Sequence, residues 1–126
     1  MFDKLLVKEI LQQIITAGER VSGRFEEINT AEDFLVDERG LEKLDSICMQ
    51  LIAIGESLKN LDKITHHELL SKYPTIEWQK AMGLRDIISH HYFDINSEII
   101  YDVCKHEIPA LITEVDHILK DMEKQI

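Results

Sequence analysis

The sequence predicts an all-α fold: an antiparallel helical bundle of four to five helices, in a single domain spanning residues 1–126. Two observations carry this. Apolar residues recur at spacings of three and four over long stretches, the signature of helices with one buried face. Turn residues are scarce, with five Gly and two Pro in 126 residues. The length suits one domain with its own core. The wide apolar faces also leave room for a helix-mediated homodimer.

Asp3 is a suitable N-cap for a first helix reaching about Glu27, with Leu6, Ile10, Ile14, Ala17 and Val21 on one stripe. Gly18 and Gly23 weaken its second half and are candidates for a kink. Thr30 can cap a short helix through Phe34, Leu35 and Val36. A longer helix follows from about Asp37 to Leu61. Its stripe Leu41, Leu44, Cys48, Leu51, Gly55 and Leu58 lies beside a second, Ile47, Ile54 and Leu61. Two stripes imply two neighbours, so this helix is expected at the centre, and Gly55 would let another backbone come close. Thr65 can cap a short turn through His66, His67 and Leu70. Pro74 pushes Tyr73 out of the helical region. One helix is then predicted from about Ile76 to Ser89. After the turn residues Asp94 and Asn96, a last helix runs from Ser97 to Lys124, broken or kinked near Glu107 by Pro109.

The formal net charge is −10. Such a surface repels phosphate backbones over a Debye length of roughly 8 Å at physiological salt, which argues against non-specific duplex binding and leaves room for a small local cationic pocket. Cys48 and Cys104 have no C-x-x-C spacing and read as small buried hydrophobes in a reducing compartment. The N-terminus lacks the pattern of a signal peptide, and no apolar run approaches the roughly 20 residues that span a bilayer. A cytoplasmic protein with no membrane partner is expected.

Chemistry concentrates in Arg85-Asp86-Ile87-Ile88-Ser89-His90-His91-Tyr92. A guanidinium can hold a phosphate, and an imidazole can move protons near neutral pH. At 100° per residue, Arg85 and His90 stand about 140° apart on a continuous helix. They converge only if the helix ends near Ser89, or if two copies of the segment meet across a dimer. Tyr92 would lie at or beyond the helix end, open to a partner. Blander readings stand beside these. Arg85 alone would be a surface ion-pair partner, His90 a structural histidine and Tyr92 a packed residue with an exposed hydroxyl. Asp86 reads as an ion-pair partner of Arg85. His66 and His67 read as a solvated helix start, and Trp78 as core or dimer interface. His90 or His91 with Asp94 lacks a third ligand, so no metal and no cofactor is expected.

Arg85, His90 and Tyr92 form R-x-x-x-x-H-x-Y, which resembles the signature of HepT-like proteins in the HEPN superfamily. Ile54-Gly55-Glu56-Ser57, Tyr73-Pro74-Thr75-Ile76-Glu77-Trp78, Met82-Gly83-Leu84-Arg85, Tyr92-Phe93-Asp94 and Ile108-Pro109 resemble family segments in the same order. The resemblance covers most of the chain. It implies a dimerising α-helical bundle with the motif lining a cleft between subunits, and a toxin paired with an MNT-type nucleotidyltransferase antitoxin. It implies metal-independent RNA cleavage, with His90 as general acid or base on a ribose 2′-hydroxyl and Arg85 stabilising the pentacoordinate phosphorus. Tyr92 would be the residue on which the partner places AMP. Two positions depart from the pattern. His91 stands where Gly is common, and Asp86 where a neutral polar residue is common. A carboxylate there fits if it pairs with Arg85 or orients His90. The alternative function is a non-catalytic binding or regulatory partner of a nucleotidyltransferase, and a third is a plain helical adaptor.

Overall fold

The structure, a computed structural model, describes residues 2–90 and 94–124. Its helices are α1 (Lys4–Phe25), α2 (Glu38–Ile64), α3 (Trp78–Met82), α4 (Leu84–His90), α5 (Ser97–Asp102) and α6 (Ile108–Glu123). Short 3-10 turns cover Ala31–Phe34 and Leu70–Lys72, and a π turn, Val103–Glu107, joins α5 to α6.

α1, α2 and α5 each start where a short polar side chain satisfies orphan backbone N–H groups, a cap worth about 1 kcal/mol. Asp3 accepts from the N–H groups of Leu5 and Leu6, Asp37 from Gly40, and Asn96 from Glu98 and Ile99. The expected short helix after Thr30 is a 3-10 turn ending at Phe34. It is anchored by the Asp33 carboxylate, which accepts from the backbone of Asn29 and Thr30. Those two bonds hold the Asp33 carboxyl below its ordinary range.

Three rods form the core. Arg24 near the end of α1 donates to the Ser46 carbonyl in the first half of α2, and the Phe25 ring lies 5.1 Å from that of Tyr101 in α5. The end of α1 therefore meets the beginnings of both α2 and the α5–α6 rod, so α1 runs antiparallel to each. Leu11, Ile14, Ile47, Leu51, Ile54, Leu58, Ile108 and Ile118 are fully enclosed between them. Each such side chain contributes roughly 1.5–3 kcal/mol of transfer free energy. α3 and α4 pack across α2, which confirms that α2 has neighbours on two sides.

Three local expectations are corrected. Gly18 does not kink α1, which runs unbroken; a Cβ there would lie 2.7 Å from Ile112 Cγ1, so the glycine makes room for α6. The Thr65 side chain does not cap the turn that follows it. Its hydroxyl donates back to the Leu61 carbonyl at 2.8 Å, closing α2, and the chain leaves through left-handed His66 and His67. That conformation costs non-glycine residues of order 1–3 kcal/mol. It is offset where His67 N–H meets the Asp62 carbonyl at 2.8 Å and its Nδ1 the Asp62 carboxylate at 2.6 Å.

The single helix expected from Ile76 to Ser89 is two. Gly83 ends α3, its N–H shared between the carbonyls of Gln79 and Lys80, and α4 continues through His90. Pro109 interrupts the α-helix of the last rod as expected, at Val103–Glu107, without ending the rod. Having no N–H and crowding the carbonyl four residues back, it is accommodated by the π turn, where Ile108 N–H reaches the Val103 carbonyl five residues back. The buried positions Ile100, Cys104 and Ile108 are spaced four and four. On an ideal α-helix they would drift by about 80°, and the wider turn takes up that drift.

Candidate functional site

The site is built where α2 lets the α3–α4 corner approach. A Cβ on Gly55 would stand 3.2 Å from the Met82 carbonyl oxygen, 3.3 Å from that of Ala81 and 3.5 Å from the Arg85 nitrogen. The two carbonyl approaches are tighter than a Cβ ordinarily makes, so the glycine eases the seating of the α3–α4 corner, with Arg85 at its start, against α2. The next residue, Glu56, presents its carboxylate to the Arg85 side chain, Oε1 lying 2.9 Å from Nε. One turn along, Lys59 Nζ lies 3.9 Å from Asp86 Oδ2, and Asp86 Oδ1 lies 3.9 Å from Arg85 Nη1. These four side chains are between 41% and 54% exposed, a surface arrangement open to a ligand. Two cations and two anions cancel locally.

Arg85 and Asp86 are thus side by side, as their sequence adjacency suggested, yet the nearer carboxylate to Arg85 is that of Glu56. Glu56 and Lys59 were absent from the sequence-derived set. Twenty-nine residues separate Glu56 from Arg85, and the available signal was an acid beside a glycine within an apolar stripe. α4 runs through His90, one residue past Ser89, close to the expected end. On this continuous helix, Arg85 and His90 remain about 140° apart. The His90 side chain, and His91 and Tyr92 entirely, lie outside the described residues.

Other reactive groups have structural roles. Cys48 and Cys104 are buried and free, and burial pushes their thiols up to about 11 and about 12, leaving them protonated and poor nucleophiles at neutral pH. Tyr73 donates to the Asp121 carboxylate at 2.8 Å, Thr75 donates to Glu114, and His117 lies between Glu114 and Asp121. These contacts strap the loop before α3 to α6. Among the described residues, no three His, Cys, Asp or Glu side chains converge as a metal site, and no helix is long and apolar enough to cross a membrane.

The family described as ribonuclease HepT-like matches residues 7–118. A Methanocaldococcus jannaschii protein carrying a provisional RNase name is 37% identical over 94 residues, covering 75% of this chain and 72% of its own. A similarly named protein of Caldanaerobacter subterraneus subsp. tengcongensis is 33% identical over 114 residues, 90% of this chain and 91% of its own. A Thermococcus cleftensis protein provisionally named ribonuclease HepT is 27% identical over 113 residues, 90% and 96% of the two chains. No solved structure matches the chain. Since the matched stretch runs from the first buried turn of α1 nearly to the end of α6, the chain belongs to the ribonuclease HepT-like family and its function is of the ribonuclease type.

Proposed function

We propose that the protein is the toxin of a toxin–antitoxin pair, cleaving RNA without a metal at a cleft formed by two copies. The observation that carries this reading is the placement of Arg85, half exposed and held by Glu56, on the same short helix as His90. In the proposed reaction His90 takes the proton from a ribose 2′-hydroxyl, whose oxygen attacks the adjacent phosphorus. The bond to the 5′-oxygen of the next nucleotide breaks and that oxygen takes a proton from the imidazolium so formed, giving a 2′,3′-cyclic phosphate and a 5′-hydroxyl and restoring the neutral imidazole. The Arg85 guanidinium stabilises the charge on the pentacoordinate phosphorus. Positioned acid–base catalysis is worth about 10²–10⁴-fold, and loss of one oxyanion donor costs about 10²–10³-fold. The angle between Arg85 and His90 favours a composite site, in which each residue works with its counterpart from a second copy.

Incubation of the purified protein with total RNA or tRNA tests this. Cleavage is expected with and without chelator, and His90→Ala should lose it. Parental cleavage by His90→Ala rejects the mechanism. The regulatory half of the reading has an MNT-type nucleotidyltransferase attach AMP to Tyr92, adding bulk and negative charge beside the cleft. After co-expression with such an enzyme, intact mass should rise by AMP in the parent and not in Tyr92→Phe; an adduct persisting in Tyr92→Phe rejects the assignment.

A second reading has one observation in its favour. With Asp86 beside it and Glu56 on its Nε, Arg85 sits in a locally neutral group on an acidic protein. That arrangement suits a non-catalytic partner of a nucleotidyltransferase. Stable binding to that enzyme without any RNA cleavage would establish it.

A further inference from the structure

We propose that Glu56 is a positioning residue for the reaction. It holds the Arg85 guanidinium by its Nε edge, so that the terminal nitrogens are turned toward the oxyanion of the scissile phosphate. The inference rests on RNA cleavage at Arg85 and adds a residue on a different helix to that site.

Three observations lead to it. The Glu56 carboxylate meets Arg85 at Nε, at 2.9 Å, whereas Asp86 stands 3.9 Å from Nη1. The contact with Glu56 thus falls on the side edge of the fork, and the half-exposed guanidinium presents its terminal pair as the edge that would match a phosphate bidentately. Next, Gly55 lets the corner that leads into Arg85 sit close to α2 and Glu56 meets the Arg85 side chain, so consecutive residues of one helix bear on both the backbone and the side chain of this segment. Finally, Lys59 draws on the Asp86 carboxylate from the same face of α2. Asp86 is thereby shared between two cations and is not committed to the terminal nitrogens of Arg85.

Positioning and simple electrostatics predict opposite signs. Glu56 is an anion beside a phosphate site on a protein of charge −10. If charge alone mattered, its removal would strengthen RNA binding and speed cleavage. If it aims Arg85, its removal should slow the chemical step, since a misplacement of about 1 Å can cost about 10²-fold.

The experiment uses the full chain and a labelled RNA that the parent cleaves. Glu56→Ala should lower kcat by roughly 10–100-fold while KM stays equal or falls, and Glu56→Gln, which keeps an acceptor oxygen, should recover part of the loss. Glu68→Gln removes the same charge from an exposed site elsewhere and should leave the rate unchanged. In an Arg85→Ala background, Glu56→Ala should cause no further loss, because the group it aims is gone. Equal fold-losses in both backgrounds, or a gain in the parent background, would overturn the proposal. A second arm is independent of activity. The Arg85 Nε–H proton, identified by its absence in Arg85→Lys, should exchange with water faster in Glu56→Gln; unchanged exchange also overturns it. If the parent cleaves no RNA, the catalytic reading fails by itself, and the exchange arm still decides whether Glu56 holds Arg85.

Discussion

Arg85 has one carboxylate at 2.9 Å and another at 3.9 Å, all three groups about half exposed. Exposed ion pairs contribute only about 0.2–1 kcal/mol, so neither carboxylate matters much to folding. Their effect is on what Arg85 presents to a ligand. At about 4 Å in water a unit charge alters the energy of another by about 1 kcal/mol, or about fivefold in affinity. Asp86→Asn should accordingly tighten RNA binding several-fold and leave the melting temperature nearly unchanged. Weaker binding in a filter or anisotropy titration would show that Asp86 supports the ligand site. Sequence adjacency made the Arg85–Asp86 proximity legible. The pairing of Glu56 with Arg85 was not, because it exists only once Gly55 brings α4 onto α2.

At the scale of helices, two glycines separate propensity from packing. Gly23 has nothing near its would-be Cβ, so Gly23→Ala should stabilise the protein by up to about 1 kcal/mol. Gly55 faces the backbone oxygens of Ala81 and Met82, which cannot rotate away as a side chain would. Gly55→Ala should cost about 1–3 kcal/mol by overpacking, enough to outweigh the propensity gain. Thermal unfolding of the two variants should move in opposite directions, and a stabilised Gly55→Ala would show that the corner on α2 yields freely. Long helices were legible because caps and apolar stripes are local signals, as at Asp3, Asp37 and Asn96. The role of Thr65 differs from the expected one because a threonine offers the same hydroxyl to the turn ahead of it or to the helix end behind it. Gly83 and the π turn were missed because each depends on how a neighbouring segment fits.

For the molecule as a whole, the strap from the loop before α3 to α6 ties the carboxyl end of the last rod to the chain leaving α2. Burial, and then donation to Asp121, pushes the Tyr73 phenol up to about 12, against about 10 in an unfolded chain. The folded state thus keeps a proton that the unfolded state loses. The stabilisation is complete below about pH 10 and disappears as pH rises toward 12. The Thr75 hydroxyl, and then His117, hold the Glu114 carboxyl below its ordinary range. That contribution is present above the usual carboxylate range and fades as pH falls through the depressed value. Tyr73→Phe should therefore flatten the alkaline limb of the melting-temperature profile, and an unchanged slope between about pH 10 and 12 would show that the strap does not contribute there. The π turn bears on the same architecture. By storing one extra residue per turn, it uncouples the rotational phase of α5 from that of α6. The half that sets Tyr101 against α1 and the half that sets Glu114 and Asp121 against the strap are each phased to their own neighbours, so what looks like one straight lever is two shafts keyed together at a fixed angular offset.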